Sequence, residues 1–160
     1  MTLSAVLDTT LLSNFAHVQR PDLLRLALGE AAATTPAVIA ELRTGEAQGL
    51  VPVCDWSLIA VLELSEDERR LMADFSRQLN RGEAECIAVA VMRPCKFLSD
   101  DFAARRLAAL RGVKVSGTLG VLLRLVAQNH LTLEQADVIL NALISYGYRS
   151  PLKSLQPLLP

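Results

Sequence analysis

The sequence predicts an α/β fold in which a mostly parallel sheet is covered by helices on both faces. Short runs at residues 3–7, 96–99 and 113–115 have strand character and alternate with longer segments that have helical features. Hydrophobic residues make up 51% of the chain and aromatic residues only 4%, so the core must be mainly aliphatic. Such a composition is typical of parallel strands buried on both faces, and alternation with helices indicates crossover connections.

Helix boundaries are marked by capping residues and by proline. Residues 11–28 are expected to form one or two helices with a break near Pro21, and Thr35 and Pro36 begin a helix that runs to about residue 48. Further helices are predicted at residues 65–79, 82–92, 100–110, 118–129 and 133–146, and a less distinct strand at 57–64. Thr132 and Gln135 are spaced as a capping box for the last helix.

The chain of 160 residues has the length of one ordinary domain. No repeat or linker divides it, so residues 1–150 are expected to form a single domain and residues 151–160 an irregular tail. The tail contains four leucines beside its prolines. It must therefore pack onto its own domain or cover an apolar surface of a partner, such as a second copy of the chain.

The net charge of −1 provides no general basic field that would attract nucleic acid. This disfavours a tight, non-catalytic nucleic-acid binder but is compatible with an enzyme that holds phosphate through metal ions. The three cysteines share no metal-ligand spacing, which is typical of reduced thiols and favours a cytoplasmic location. The first residues, MTLSAVLD, lack the basic start of a signal peptide, and no segment reaches the roughly 18 apolar residues of a membrane helix.

Several common catalytic motifs are absent from the sequence. There is no G-x-x-x-x-G-K-[ST] phosphate loop, no G-x-G-x-x-G and no H-E-x-x-H. The two histidines are expected to be structural, since His17 lies among apolar residues and His130 at the end of a predicted helix. Carboxylates are therefore the candidate catalytic groups.

Two groups of acids directly follow predicted strands. Asp8 ends the first strand, at the edge of a parallel sheet where ligands bind. A carboxylate after a wholly apolar run must cap a helix, pair with a cation or bind a metal, and the capping alternative would involve Thr9 and Thr10. Asp100 and Asp101 follow a later strand. One of them is expected to cap the next helix, which leaves the other in need of a cation.

Two further acids lie on predicted helices. Glu41 borders the apolar stripe of its helix, although a solvated position is the alternative. Glu83 shares its direction with Ile87 and Val91, whereas Glu85 is predicted to point nearly the opposite way. The alternative for Glu83 is a favourable interaction with the helix dipole.

Five segments occur in a characteristic order along the chain. They are the strand ending in Asp8-Thr-Thr, the helix TPAVIAEL, and the segments GEAECIAVA, FLSDDFAARR and VKVSGTLGVLL. No single segment is specific, but the ordered set, which spans residues 3–149, resembles the PIN-domain nucleases. The likeness is greatest to the compact single-domain bacterial and archaeal type, which includes the VapC-like toxin ribonucleases.

This resemblance implies a three-layer α/β/α fold whose acids meet at one sheet edge to bind Mg²⁺ or Mn²⁺. It places the four catalytic and metal-binding acids at Asp8, Glu41, Glu83 and Asp101. Asp100 is an additional metal ligand or an alternative to Asp101, and Asn14 is a candidate to support the site. Glu83 stands where many relatives have Asp, and its longer side chain leaves the position of a second metal open.

The implied function is a metal-dependent endoribonuclease, with RNA as substrate and an antitoxin protein and a homodimer as possible partners. The chemistry is consistent with this, because carboxylates about 4 Å apart repel by roughly 4 kcal/mol per pair unless cations or protons intervene. Arg105 and Arg106 follow the paired acids and are either phosphate-binding residues or exposed helix arginines.

The alternative function is a catalytically silent PIN-like module that binds RNA or a protein. A phosphoacceptor domain is a third interpretation. It would require an acid at the position of Thr10 or a lysine after a late strand, whereas Lys114 lies inside the strand.

Overall fold

The computed structural model describes residues 2–75 and 77–160. Residues 1 and 76 lie outside the described part. Both belong to the predicted domain, and residue 76 also belongs to the predicted helix 65–79. The strands are β1 (Ala5–Leu7), β2 (Ala32–Thr34), β3 (Ala60–Val61), β4 (Lys96–Leu98) and β5 (Val115–Ser116). Every neighbouring pair is parallel, and the strands lie in the order β3-β2-β1-β4-β5.

Eight α-helices and one short 3-10 helix are found in the described residues. They are α1 (Thr9–His17), α2 (Asp22–Leu28), α3 (Pro36–Ala47), α4 (Glu66–Ala73), α5 (Arg81–Met92), α6 (Phe102–Leu110), α7 (Thr118–Ala127), α8 (Leu133–Ser145) and the 3-10 turn Gln156–Leu158. The predicted cap of α3 by Thr35 and the predicted capping box of Thr132 and Gln135 are both confirmed. None of the helices in this part of the chain has both the length and the apolar character required to span a bilayer.

The helices cover the sheet in two outer layers. Helix α5 packs against β1 and β4, with α3 and α4 beside it, while α2, α7 and α8 pack together and α7 also contacts β5. Strands β1 and β2 are fully enclosed, as expected for parallel strands between two helical layers. The predicted three-layer α/β/α fold with a parallel sheet is confirmed.

The order of the strands produces a switch point beside β1. From β1 the chain first builds one side of the sheet, with β2 and β3, and later returns to build the other side, with β4 and β5. The amide of Asp8 donates to the carbonyl of Leu98 (3.1 Å), so the carboxyl ends of β1 and β4 lie side by side. In open parallel sheets, ligands bind at this kind of point.

Four elements differ from the prediction. Strand β2 was not predicted, because Ala-Ala-Thr has little strand propensity, and pairing with β1 stabilises it instead. Strands β3 and β5 have only two residues each, and β5 begins at Val115. Helix α4 ends at Ala73 rather than near residue 79, and the chain then turns so that Phe75 enters the core.

The end of the chain packs onto α8. Asp137 accepts hydrogen bonds from the Ser154 hydroxyl (2.7 Å) and the Leu155 amide (2.8 Å), and the Leu155 side chain is fully buried. The side chain of Leu155 in the tail is thus covered by the chain's own domain.

Candidate metal centre

The carboxyl edge of the sheet brings the predicted acids together. Asp8 follows β1, Asp100 and Asp101 follow β4, and Glu41 and Glu83 are carried by α3 and α5. The pKa of Glu83 is raised to about 7, mainly because its carboxyl is buried. A backbone hydrogen bond from Asn80 opposes this shift, and the nearby charges of three acids increase it, namely Asp101, Asp8 and Glu41. Three acids from three other segments therefore lie within electrostatic reach of Glu83.

Asp8 caps helix α1 and is also one of these acids. Its Oδ1 accepts hydrogen bonds from the amides of Thr10 (2.9 Å) and Leu11 (3.3 Å), which is the capping role expected as the alternative. The residue is only 1% exposed. The pKa of Asp8 is raised to about 6, mainly because the residue is buried. The charge of Asp100 also raises this pKa, whereas hydrogen bonds from Ser99 and Thr10 lower it.

Two hydroxyl groups join the ends of β1 and β4. The Ser99 hydroxyl donates to Oδ2 of Asp8 (2.6 Å) and accepts from the amide of Asp101 (3.0 Å). The Thr10 hydroxyl donates to Oδ1 of Asp8 (2.6 Å) and accepts from the amide of Asp100 (2.9 Å). Both oxygens of Asp8 are thus oriented, and each hydroxyl also holds one of the paired acids. Sequence analysis did not assign these roles, although hydroxyl residues next to acids at strand ends were visible.

Glu41 is held between α1 and α5. Its Oε2 accepts from the Thr9 hydroxyl (2.5 Å) and its Oε1 from the Gly82 amide (2.9 Å). A Cβ atom on Gly82 would lie 2.7 Å from Oε2 of Glu41, so only glycine allows this approach. Sequence analysis overlooked Gly82. The available signal was a glycine in the first turn of a helix, where it lowers helix propensity.

Glu83 forms a capping box at the start of α5. Its Oε2 accepts from the amide of Asn80 (3.2 Å), and its own amide donates to Oδ1 of Asn80 (2.8 Å). Within the described residues, Oε1 of Glu83 accepts no hydrogen bond, which leaves this oxygen available to a ligand.

The burial of Glu85 was not predicted. This residue is only 4% exposed, and its Oε2 accepts from the amide of Ala37 (2.9 Å) in the first turn of α3. The guanidinium of Arg81 lies 3.6 Å from its Oε1. Because α5 is covered by α3, α4 and the sheet, every residue of α5 from 82 to 90 is buried. Glu85 instead stabilises the positive end of the α3 dipole.

The paired acids after β4 have different partners. Asp101 caps α6 through Oδ1, which accepts from the amide of Ala104 (2.8 Å), and its Oδ2 accepts no hydrogen bond from the described residues. Asp100 accepts from the amide (2.9 Å) and hydroxyl (2.5 Å) of Thr118 at the start of α7. It also accepts a hydrogen bond from the side-chain amide of Asn14 (2.8 Å). Asn14 was predicted to support the site.

Gly117 makes the position of Asp100 possible. A Cβ atom there would overlap with Oδ1 of Asp100 and would lie 2.9 Å from the carbonyl oxygen of Ser99. Helix α7 has no side-chain cap from Gly117 itself, so Asp100 takes that role from a different segment. Gly117 belongs to the segment VKVSGTLGVLL, but this function was not predicted from the sequence.

Two open clefts flank the acids. One, of about 660 Å³, is lined by Thr9, Glu41, Arg81 and Glu85 among others. The other, of about 680 Å³, is lined by Asp100, Asp101, Phe102, Arg105, Tyr148 and Arg149 among others. Arg105 therefore lies at the site, whereas Arg106, the other predicted phosphate-binding residue, is exposed and does not line either cleft.

The acids suit a hard cation. In the part of the chain that the structure describes, no three His, Cys, Asp or Glu side chains form a preassembled metal-ligand group. Mg²⁺ commonly binds through one or two carboxylates and keeps several waters, so it does not need such a group. The available oxygens of Glu83 and Asp101 match this requirement, and the charge of Asp101 adds to the rise in the pKa of Glu83.

Comparison with known proteins identifies the family. A family model described as a PIN domain matches residues 4–160, which is nearly the whole chain. No curated protein matches the sequence. PIN domains are generally nucleases and typically use divalent metals. The five-stranded parallel sheet and the acids at its carboxyl edge agree with that match, and the chain belongs to the PIN-domain family.

Proposed function

We propose that this chain is a divalent-metal-dependent endoribonuclease. In this proposal the four acids Asp8, Glu41, Glu83 and Asp101 hold Mg²⁺ or Mn²⁺, with Asp100 as an additional ligand or as support for the site. The observation that carries the proposal is the position of Glu83. Its carboxyl is buried beside Asp101, Asp8 and Glu41 at the switch point of the sheet, and their charges add to the effect of burial on its pKa.

A soluble protein rarely retains several buried carboxylates that repel one another unless a cation compensates them. Here the hydroxyls of Ser99 and Thr10 fix both oxygens of Asp8, and the amide of Gly82 fixes one oxygen of Glu41. These contacts orient the ligands before a metal binds. A site prepared in this way binds its ligand with less loss of side-chain entropy.

A bound metal would supply a hydroxide nucleophile and would neutralise charge on the departing oxygen. The residues of the chain would hold the phosphodiester in position. Arg105, in the cleft next to Asp100 and Asp101, is placed to contact a phosphate oxygen of the substrate. The open clefts on both sides of the acids leave room for a strand to continue beyond the cleaved bond.

The choice of RNA as substrate is supported by the resemblance to toxin ribonucleases. On the same basis, we propose a toxin role in a toxin–antitoxin pair, an antitoxin protein as partner, self-association as a homodimer and a cytoplasmic location. A small upstream reading frame that encodes a DNA-binding protein would support the toxin role, and its absence would count against it.

Metal binding can be tested without any substrate. Thermal unfolding of the wild-type protein is measured with and without Mn²⁺, beside Asp8→Asn and the control Glu85→Gln. Saturation at 100 times the dissociation constant should stabilise the wild type and the control by about 2.7 kcal/mol and should leave Asp8→Asn nearly unaffected. A wild-type protein that Mn²⁺ does not stabilise would instead favour the catalytically silent PIN-like module.

A further inference from the structure

Phe102 is an exposed aromatic residue at the edge of the acid cluster. It directly follows Asp101, begins α6 and is 79% exposed. The other three phenylalanines, at positions 15, 75 and 97, are at most 1% exposed. A large apolar side chain at a helix start contributes nothing to the core from such a position. It lines the same cleft as Asp100 and Asp101, next to the candidate metal centre, where a bound ligand could contact its ring.

The cleft that contains Phe102 also contains two arginines. Arg105 and Arg149 line it, and neither forms a salt bridge with any of the described residues. This is notable for Arg105, because Asp101 lies one helical turn before it. A Cβ on Gly117 would contact both Oδ1 of Asp100 and Nη1 of Arg105, so Arg105 lies close to Asp100 without forming a salt bridge with it. Its guanidinium, like that of Arg149, can bind phosphate, for which its planar shape is well suited.

The remaining walls of the cleft are mostly uncharged. Leu119, Pro151 and Tyr148 contribute apolar surface, and burial keeps the Tyr148 phenol protonated by raising its pKa to about 12. The cleft, of about 680 Å³, thus combines an aromatic face, an apolar wall and two guanidinium groups beside Asp100 and Asp101. This is the composition of a site for an unpaired nucleotide, whose base stacks on an aromatic ring while arginines contact its phosphates.

We propose that this cleft binds one unpaired nucleotide of an RNA strand next to the bond that is cleaved, with its base stacked on Phe102 and its phosphates contacted by Arg105 and Arg149. The position relative to the cleaved bond rests on the proposed nuclease function. Stacking on a single aromatic ring accepts any base but requires that the base be unpaired. The protein should therefore select single-stranded over double-stranded RNA, with little preference for sequence at this position.

RNA binding is measured in EDTA, which prevents metal-dependent cleavage of the probe during the experiment. The probe is a short fluorescein-labelled RNA of mixed sequence without self-complementarity, and fluorescence anisotropy gives its dissociation constant. Phe102→Ala should weaken binding by about fivefold or more, whereas Phe102→Trp should bind like the wild type. Leu110→Ala is the matched control, since Leu110 is equally exposed at 79% and lies at the other end of the same helix. It should leave binding unchanged.

The arginines are tested by the salt dependence of the same binding. Each phosphate contact contributes about 0.7 to the slope of log affinity against log salt for a single strand. Arg105→Gln and Arg149→Gln should each lower the slope by about that amount. Arg106→Gln, on the same helix but outside the cleft, should not change it.

Two results would overturn the nucleotide site. One is that Phe102→Ala binds the RNA as tightly as the wild type, or that Phe102→Trp loses as much affinity as Phe102→Ala. The other is equal affinity of the wild-type protein for the single strand and for a duplex of the same sequence. By contrast, the expected pattern of variants without any metal-dependent cleavage would support the site and refute the nuclease function.

Discussion

The hydroxyl of Ser99 donates a hydrogen bond of 2.6 Å to Oδ2 of Asp8 and joins the end of β4 to the end of β1. Both residues are almost completely buried. The same hydroxyl accepts from the amide of Asp101, so one serine orients an acid and positions the backbone of another. The geometry of the candidate metal centre therefore depends on a residue that is not itself an acid.

Ser99→Ala should shift the pH dependence of cleavage. The hydrogen bond from Ser99 lowers the pKa of Asp8, so its removal should raise this pKa above about 6. If metal binding requires ionised Asp8, the acid limb of the rate profile should move to higher pH. The variant should also lose about 1–3 kcal/mol of stability, because Oδ2 of the buried Asp8 loses its hydrogen-bond donor. An unchanged acid limb would exclude Asp8 as the group that controls it.

Glu83 and Glu85 provide a matched pair of buried acids on α5. Each carboxylate accepts a hydrogen bond from one backbone amide, and glutamine can preserve that hydrogen bond in both cases. Glu83→Gln should weaken Mn²⁺ binding by about tenfold or more, since it removes a ligand charge, whereas Glu85→Gln should have little effect. Isothermal titration with Mn²⁺ measures both. A larger loss of affinity in Glu85→Gln would mean that Glu83 has been misassigned as a ligand.

Gly82→Ala should disable the site without removing an acid. The added methyl group would lie 2.7 Å from Oε2 of Glu41 and should displace this carboxylate. Alanine is otherwise favourable in a helix, so the metal-free protein should change in stability by no more than about 1 kcal/mol. Cleavage rate, Mn²⁺ affinity and melting temperature should be measured together. Normal Mn²⁺ affinity in this variant would show that metal binding does not require Glu41 in its present position.

The metal-free protein should become more stable as the pH falls from 8 to 5. The folded-state pKa values of Asp8, about 6, and Glu83, about 7, lie above their ordinary values of 3.8 and 4.5. The folded protein therefore binds more protons than the unfolded chain in this range, and its stability decreases as the pH rises through these values. Urea denaturation in EDTA should show a gain of roughly 2–4 kcal/mol at pH 5 relative to pH 8.

Two controls accompany the pH experiment. Acids whose pKa is lowered in the fold, such as Asp22 and Glu68, act in the opposite direction but only near or below their ordinary values of 3.8 and 4.5. The double variant Asp8→Asn, Glu83→Gln should lose most of the gain between pH 8 and 5. Equal pH dependence in the wild type and the double variant would contradict the raised pKa values.

The fold and the positions of acids at strand ends were predictable because they depend on local sequence patterns. Asp8 and Asp100 directly follow strands, and Thr35 caps its helix through its own side chain. Strand β2 was not predictable, since its stability comes from pairing with β1 rather than from its residues. The burial of Glu85 was missed for a related reason, because a helix covered on several sides no longer follows a two-faced pattern.

The contacts that position the acids could not be predicted from the sequence. The bond between Ser99 and Asp8 joins residues 91 positions apart. The approach of Gly82 to Glu41 depends on how closely α3 and α5 pack. Long-range contacts of this kind are set by the packing of whole elements, on which residue spacing gives no information.

Cleavage of single-stranded RNA by wild type and Asp8→Asn tests the central claim most directly. Asparagine keeps the shape of the side chain and can still cap α1 but carries no charge, so the variant should fold and melt close to the wild type without metal. Purified proteins are incubated with a labelled RNA in Mg²⁺, in Mn²⁺ and in EDTA. We expect metal-dependent products from the wild type and none from Asp8→Asn. The central claim would be contradicted by cleavage that persists in EDTA, or by a folded Asp8→Asn protein that keeps more than about a tenth of the wild-type rate, a barrier change of less than about 1.4 kcal/mol.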